Sequence, residues 1–338
     1  MLQHVAPVDE LRGLARAKAR DYLSKSVHPA LVPEETAAGW TVEKENKRSV
    51  RLRRAKDPGK LLEDRVWTLL YRMGFFHLSD EHGAELLLDP KASAGPKTKI
   101  DVVGIDTEVA LAIECKSASQ PGKRPQFQEE LGKHALIRPR FANAITAQYP
   151  STPKRQVALA MFLSNIELSD NDLKRAENES VATFDSIDIQ YYEDLVNHLG
   201  PAAKYQFLAD ALPKRAIPGL TLTVPAIRTK IGGATCYTFS INPEYLLKIA
   251  YVSHRAKGKA SDVDTYQRMI RKSRLNRIRD YISHNGIFPT NIVINFDGKQ
   301  RFERTEQAEN QEGGVLGFLR LRPESGWRHP TARPQQGR

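Results

Sequence analysis

The stretch Lys99–Ser117, KIDVVGIDTEVALAIECKS, constrains the fold more than any other part of the chain. Val, Ile and Leu dominate its two arms, Lys99–Ile105 and Val109–Lys116, and such residues favour strands packed in a sheet core. Asp106–Glu108 supplies the bend, with Asp106 as an ordinary turn residue. Charges interrupt the apolar run only at Asp101, Glu114 and Lys116. With a tight two-residue connection, Asp101 falls opposite Glu114 across the hairpin. Side chains alternate faces along a strand, so Lys116 shares that face and Asp106 points the other way.

Two carboxylates and an ammonium on one hairpin face suit phosphodiester chemistry. The carboxylates are hard oxygen ligands for Mg2+, with Mn2+ as a substitute, and such a metal polarises a phosphodiester and lowers the pKa of a bound water. Lys116 can orient that water and stabilise developing charge. The plain alternative is a surface ladder, because strand ends often carry such charges.

This stretch resembles the PD-(D/E)xK nuclease superfamily in its restriction-endonuclease-like branch. Asp101 stands as the acidic residue of the first strand, and Glu114-Cys115-Lys116 as the ExK tripeptide of the second. Glu63, in the helix-like segment Lys60–Phe76, stands where this superfamily often carries a metal-site glutamate. A glutamate in a first helical turn also favours the helix dipole whatever its function. The sequence departs from the motif at Ile100, where proline would stand. The resemblance implies an α/β fold with an α-β-β-β-α-β core over roughly residues 45–200. It also implies a metal held by Asp101, Glu114 and Glu63, with Lys116 activating the attacking water.

The net charge of +11 over 338 residues favours a polyanionic partner, with nucleic acid first. Lys44–Lys60 concentrates it, including Arg51, Arg53 and Arg54, just before the Glu63 helix. The loop expected at Ser117–Pro125 sets Lys123 and Arg124 to meet a backbone phosphate. A second basic run, His254–Arg279, holds Arg268, Arg271 and Arg274. A solvated basic face is the alternative for each run. No apolar run reaches the roughly 18 residues of a membrane span, and the N-terminus lacks the apolar core of a secretory signal. Two cysteines, Cys115 and Cys236, make neither a disulfide framework nor a zinc pattern, so a reducing cytoplasm is the default expectation.

Taken in order, residues 1–40 read as a helix, Val8–Leu23, followed by a linker broken at Pro29 and Pro33. Residues 41–212 read as one α/β domain. Its later elements are a helical stretch Phe127–Tyr149 interrupted at Pro139, a buried strand Val157–Asn165, a helix Ser169–Ala176 capped by Ser169, a strand Val181–Asp185 and a helix Asp188–Leu199. Residues 213–321 change texture. Strands are expected at Leu220–Ile227 and Ala234–Ile241, a helix at Glu244–Ala250, a basic helix at Tyr266–His284 and a strand at Asn291–Phe296.

This second region resembles the N-terminal part of the DGQHR-domain family, which includes the DndB-type proteins of phosphorothioate DNA-modification loci. The likeness is carried by Val224-Pro225-Ala226-Ile227, Tyr237-Thr238-Phe239, Pro243, His254-Arg255, Tyr266-Gln267-Arg268, Arg274–Tyr281 and Phe288–Val293. It implies a partial α+β domain with ParB-like relatives, and association with DNA. The naming signature is absent; Asp297-Gly298-Lys299-Gln300-Arg301 is a near miss set too early. Residues 322–338 read as no folded element, and the expectation is a truncated second domain followed by an irregular tail.

The function expected is a metal-dependent DNA endonuclease in restriction or phage defence, sensing DNA modification; the resemblance leaves room for a homodimer, as many restriction-like nucleases cut both strands as dimers. The rival is a non-cleaving DNA-binding regulator of a DNA-modification locus.

Overall fold

The computed structural model describes residues 1–88, 95–152, 154–212, 222–242, 245, 254–255, 267–268, 272–284, 286, 291–294, 300–305 and 314–321. The chain divides into two compact units, Met1–Pro213 and Lys214–Arg338. It is a mixed α/β protein, and no described helix is long and apolar enough to cross a membrane.

The first unit begins with strands β1 (Leu2–Gln3) and β2 (Val5–Pro7), helix α1 (Val8–Lys18), strand β3 (Tyr22–Val27), helix α2 (Val32–Ala37) and strands β4 (Thr41–Glu45) and β5 (Val50–Ala55). Helix α3 (Pro58–Arg72) leads to β6 (His77–Ser79), β7 (Ala84–Leu87), β8 (Lys97–Ile100), β9 (Val102–Ile105) and β10 (Val109–Lys123). Helices α4 (Phe127–Leu136) and α5 (Arg138–Gln148) follow, then β11 (Gln156–Glu167), α6 (Asp170–Asn178), β12 (Val181–Phe184), α7 (Ser186–Leu199) and α8 (Ala203–Ala211).

The central sheet has the order β12-β11-β10-β9-β6-β2. β6, β9 and β10 run antiparallel in turn, whereas β11 lies parallel to β10 after the α4–α5 crossover. Its middle strands carry the core: Val102 to Ile105 on β9, Val109 to Ile113 on β10 and Ala158 to Leu163 on β11 are almost wholly buried. Continuous apolar runs suit strands covered on both faces. Helix α3 starts at the Asp57 cap, whose side chain accepts from the Lys60 amide at 2.9 Å, with Pro58 at the first helical position. It stops at Gly74, whose φ of +84° is the left-handed conformation that closes a helix. The α4–α5 break falls at Ile137, just before Pro139, as the sequence indicates. Ser169 and Asp172 form the capping box that begins α6.

Several expectations are corrected. Residues 1–40 are not a helix with a linker set apart. β2 pairs β6 at the edge of the central sheet, and β3 pairs β5 in a separate sheet of order β3-β5-β4. The first helix ends at Lys18 because the alternating segment YLSKSV continues as strand. The Asp101 arm is two strands rather than one: β8 pairs β7 in a small sheet, β9 pairs β10 in the central sheet, and Asp101 sits at the switch. The loop expected at Ser117–Pro125 is mostly strand, since β10 stays paired to β11 as far as Lys123, with a register shift between Ser117 and Gly122. Asp106 does stand at the bend, where its amide donates to the Val109 carbonyl oxygen at 2.9 Å, but it is more than a turn residue. It is buried, paired with the Lys204 ammonium, and its carboxylate accepts from the Thr107 amide at 2.6 Å.

In the second unit, β13 (Leu222–Ile231) and β14 (Ala234–Phe239) form a hairpin whose turn, Gly232-Gly233, has positive φ at both residues. They join β18 (Val315–Leu321) and β17 (Arg301–Arg304) in an antiparallel sheet of order β14-β13-β18-β17. Val224, Ala226, Leu319 and Leu321 form its small core. Between lie β15 (His254–Arg255), β16 (Gln267–Arg268) and helix α9 (Lys272–Ser283). The basic helix therefore starts later than expected, because Gln267-Arg268 pairs with His254-Arg255 as strand. Residues 291–294 are not strand. The expected helix Glu244–Ala250, apart from Tyr245, lies outside the described residues, as do Asp297–Lys299 and the 322–338 tail.

Candidate functional site

The geometry begins with the β9–β10 register. Ile105 faces Ala110 and Val102 faces Ile113, so one step further sets Asp101 against Glu114. Asp101 has left the ladder at the sheet switch, and its Oδ2 accepts instead from the Cys115 amide at 2.9 Å. That bond fixes the carboxylate against the strand bearing Glu114 and Lys116. Behind it, Gly83 closes the approach. Its φ is +94°, and a Cβ there would lie 2.7 Å from the Ile100 carbonyl oxygen and 3.1 Å from that of Asp101.

Glu63 comes from α3, in its second turn rather than its first, so the helix dipole gives little account of it. Its Oε2 lies 3.2 Å from Lys60 Nζ and its Oε1 3.6 Å from Lys99 Nζ. The same Lys99 ammonium is 3.4 Å from Asp101 Oδ1. Lys116 Nζ donates to Glu114 Oε1. Each carboxylate of the set thus has a lysine against it.

The charges of all three carboxylates bear on Cys115, between Glu114 and Lys116. Burial pushes the Cys115 thiol well up, and the charges of Asp101, Glu63 and Glu114 push it further. Burial, then the nearby Asp101 charge, holds Glu114 above the usual carboxylate range despite Lys116. For Lys116 burial is the largest influence and pulls downward. The hydrogen bond to Glu114, with the charges of Glu114, Asp101 and Glu130, outweighs it and holds the ammonium above its usual value. His134 is no proton carrier here: burial brings it down to about 4, and its Nε2 lies 3.2 Å from the Ala112 carbonyl oxygen.

The donor set suits a hard cation. Mg2+ is commonly held by one or two carboxylates, with water and substrate oxygens completing the shell, and Asp101 and Glu114 are two such groups in adjoining positions. Among the described residues no three His, Cys, Asp or Glu side chains stand close enough together to enclose a metal ion. Glu63 and Asp101 are joined through Lys99, whose ammonium lies against both carboxylates.

Beneath the site lies a buried network that the sequence reading missed. Asp64, next to Glu63 on α3, has a side chain 3% exposed and is ion-paired with three lysines: Lys56 at 2.7 Å, Lys18 at 3.1 Å and Lys60 at 3.4 Å. Lys60 also donates to the Glu81 carbonyl oxygen at 2.7 Å, so it ties α3 to the turn beside the site. A helical signal existed in the i, i+3, i+4 spacing of Lys60, Glu63 and Asp64; Lys18 and Lys56 gave none. Lys99 was legible only as a neighbour of Asp101. A cleft of about 620 Å³ opens beside Glu63 and Lys99, its wall including His4, Asp80 and His82. His4 holds φ +62° there, with Nδ1 3.1 Å from Asp80 Oδ2.

The residues expected to meet DNA are not all alike. Arg53 and Lys123 are exposed on β5 and β10. Arg51 is 3.0 Å from Glu43, and Arg54 stacks over Trp40 on the opposite sheet face. Arg124 is held by a two-pronged pair with Glu130, both distances 2.7 Å. Arg268 lies on β16 and Arg274 on α9, and Arg271 lies outside the described residues.

No family model matches the chain, and no curated protein matches it. Among solved structures, protein VC1899 from Vibrio cholerae overlays with a TM-score of 0.30 at 14% identity, over 58% of this chain and 52% of that one. The chain thus spans about half the length of that structure, and a likeness at this level carries no argument.

Proposed function

We propose that the chain is a metal-dependent DNA endonuclease with a restriction-endonuclease-like catalytic unit, acting at the hairpin face of Asp101, Glu114 and Lys116. The observation that carries this reading is the juxtaposition at the sheet switch: Asp101 pinned to the Cys115 amide, one register step from Glu114, with Lys116 on Glu114. The order of α3, three antiparallel strands, a helical crossover and a parallel strand supports it as well.

Mg2+, when bound, would supply Lewis acidity at the phosphate and a more acidic water. Asp101 and Glu114 would hold it, with Glu63 reaching it through water. Lys116 keeps its proton at neutral pH, since its ammonium is held above its usual value. It therefore serves as a donor that orients the attacking water or a phosphate oxygen, rather than as a base. The exposed Arg53 and Lys123 would hold the backbone of the duplex. The second unit would bind DNA and report its modification state, which fits restriction or phage defence.

A second reading, the non-cleaving DNA-binding regulator, is favoured by one observation: every carboxylate of the site is already paired with a lysine. Cleavage of modified and unmodified plasmids with Mg2+ or EDTA separates the two. Metal-dependent cutting supports the endonuclease, and a bias between plasmids supports the sensing unit. Salt-sensitive binding without cutting supports the regulator.

A further inference from the structure

Lys99 occupies an unusual place. Its ammonium lies between two carboxylates from different elements, 3.6 Å from Glu63 Oε1 on α3 and 3.4 Å from Asp101 Oδ1 at the sheet switch. Yet its side chain is 54% exposed and lines the cleft beside the site. The other lysines near these carboxylates are more firmly committed. Lys60 is also tied to Asp64 and the Glu81 carbonyl oxygen, and Lys116 is bonded to Glu114 on its own strand. Among the described residues Lys99 pairs with these two carboxylates and otherwise faces solvent, and its flexible stem can swing the charge several ångströms.

We infer that Lys99 is a resident counter-ion between Glu63 and Asp101 until a divalent cation held by Asp101 and Glu114 displaces it from Asp101, after which its ammonium turns into the cleft toward a substrate phosphate. This rests on the metal-dependent reading above. The physical reason is exclusion. An ammonium 3.4 Å from Asp101 and a divalent cation on the same oxygen repel strongly, so the two cannot share the position. Without metal, Lys99 offsets the repulsion between two part-buried carboxylates. With metal it becomes surplus positive charge beside the site, available to pair with a phosphodiester. Metal loading and nucleic-acid binding are then coupled through one side chain, each ligand favouring the conformer that the other uses.

The test measures Mn2+ binding to the full chain by calorimetry, in wild type, Lys99→Ala, Lys99→Gln and Asp101→Asn, with circular dichroism to confirm folding. Removing an ammonium that competes through two partly exposed contacts should tighten Mn2+ binding by roughly three- to ten-fold. The same Lys99 variants should bind a short DNA duplex more weakly than wild type when Ca2+ is present, and Asp101→Asn should bind little Mn2+. If Asp101→Asn abolishes Mn2+ binding while both Lys99 variants bind it no more tightly than wild type, the inference fails and the metal site stands. If neither wild type nor the Lys99 variants bind Mn2+ above Asp101→Asn, the metal-dependent reading fails and takes the inference with it.

Discussion

Asp64→Asn probes the foundation on which the site rests. The change keeps the shape of the side chain and removes its charge, leaving three lysines facing a neutral amide. They are not equally affected. Lys60 keeps Glu63 and the Glu81 carbonyl oxygen, and Lys56 keeps the carbonyl oxygens of Ala17, Lys18 and Arg20. Lys18 keeps only a 3.3 Å bond to Glu81 and its position over the Trp67 ring, and its side chain is 5% exposed. Removing one partner of a buried ion pair costs about 3–5 kcal/mol, and the surviving bonds of Lys56 and Lys60 put this case near the lower end. With a urea dependence of about 2–3 kcal/mol per molar, the midpoint for the first unit should fall by roughly 1–1.5 M. Burial, the leading influence, already holds Lys18 below its ordinary value of 10.5, although Asp64 opposes it. A depressed folded value means that the unfolded chain binds more protons, so stability rises with pH through this window. Losing Asp64 depresses Lys18 further, so the defect should shrink as pH rises from neutral toward 10. Lys18→Met in the Asp64→Asn background should recover most of the loss. A midpoint shift under about 0.3 M, or a defect that grows with pH, would refute the argument that Lys18 is the stranded charge.

Other outcomes follow from the same geometry. Gly83→Ala should cost about 1–3 kcal/mol, because alanine must adopt a left-handed φ with its Cβ against two carbonyl oxygens; an unchanged melting temperature would contradict the close approach beside Asp101. Cys115 is buried with its thiol pushed up, so only Cys236 should react quickly with a thiol reagent in the folded protein; two fast thiols would count against the packing around the ExK strand. Burial and Asp101 hold Glu114 above its ordinary value of 4.5, so the metal-free protein should lose stability as pH rises through that raised value. Glu114→Gln should flatten this loss, and Mn2+ binding should release protons in the same range, as titrations in two buffers of different ionisation enthalpy would reveal. Arg53→Ala combined with Lys123→Ala should lower the salt dependence of DNA binding by about two units on a log–log plot. Arg124→Ala should change it little, because that guanidinium is already held by Glu130.

Much of the first unit is legible in the sequence because its signals are local. Proline and glycine punctuate α3 and the α4–α5 break, Ser169 marks the start of α6, and the apolar runs of β9, β10 and β11 announce buried strands. The opposition of Asp101 and Glu114 is likewise arithmetic on a short hairpin. The failures have a common cause, which is pairing between distant segments. Nothing local in YLSKSV says that it will pair with Val50–Ala55, and nothing in Ser117–Lys123 says that β11 will hold it as strand. Asp106 looks like any turn aspartate until Lys204, far along the chain, closes on it. The site divides the same way: Asp101, Glu114 and Lys116 on one hairpin could be read, whereas Lys18 on α1 and Lys56 just after β5, which close on Asp64 beside Glu63, gave no local sign of it.

We propose that the hairpin face hydrolyses phosphodiesters with a divalent metal. The most direct measurement is nicking of supercoiled plasmid under single-turnover conditions, comparing wild type with Asp101→Asn and Lys116→Met that bind DNA equally well. Wild type should nick in the presence of Mg2+, Asp101→Asn should abolish the nicking, and Lys116→Met should reduce it by at least about a hundred-fold. Nicking that survives in both variants would move the chemistry elsewhere, and no nicking by folded, DNA-bound wild type at any Mg2+ or Mn2+ concentration would contradict the claim.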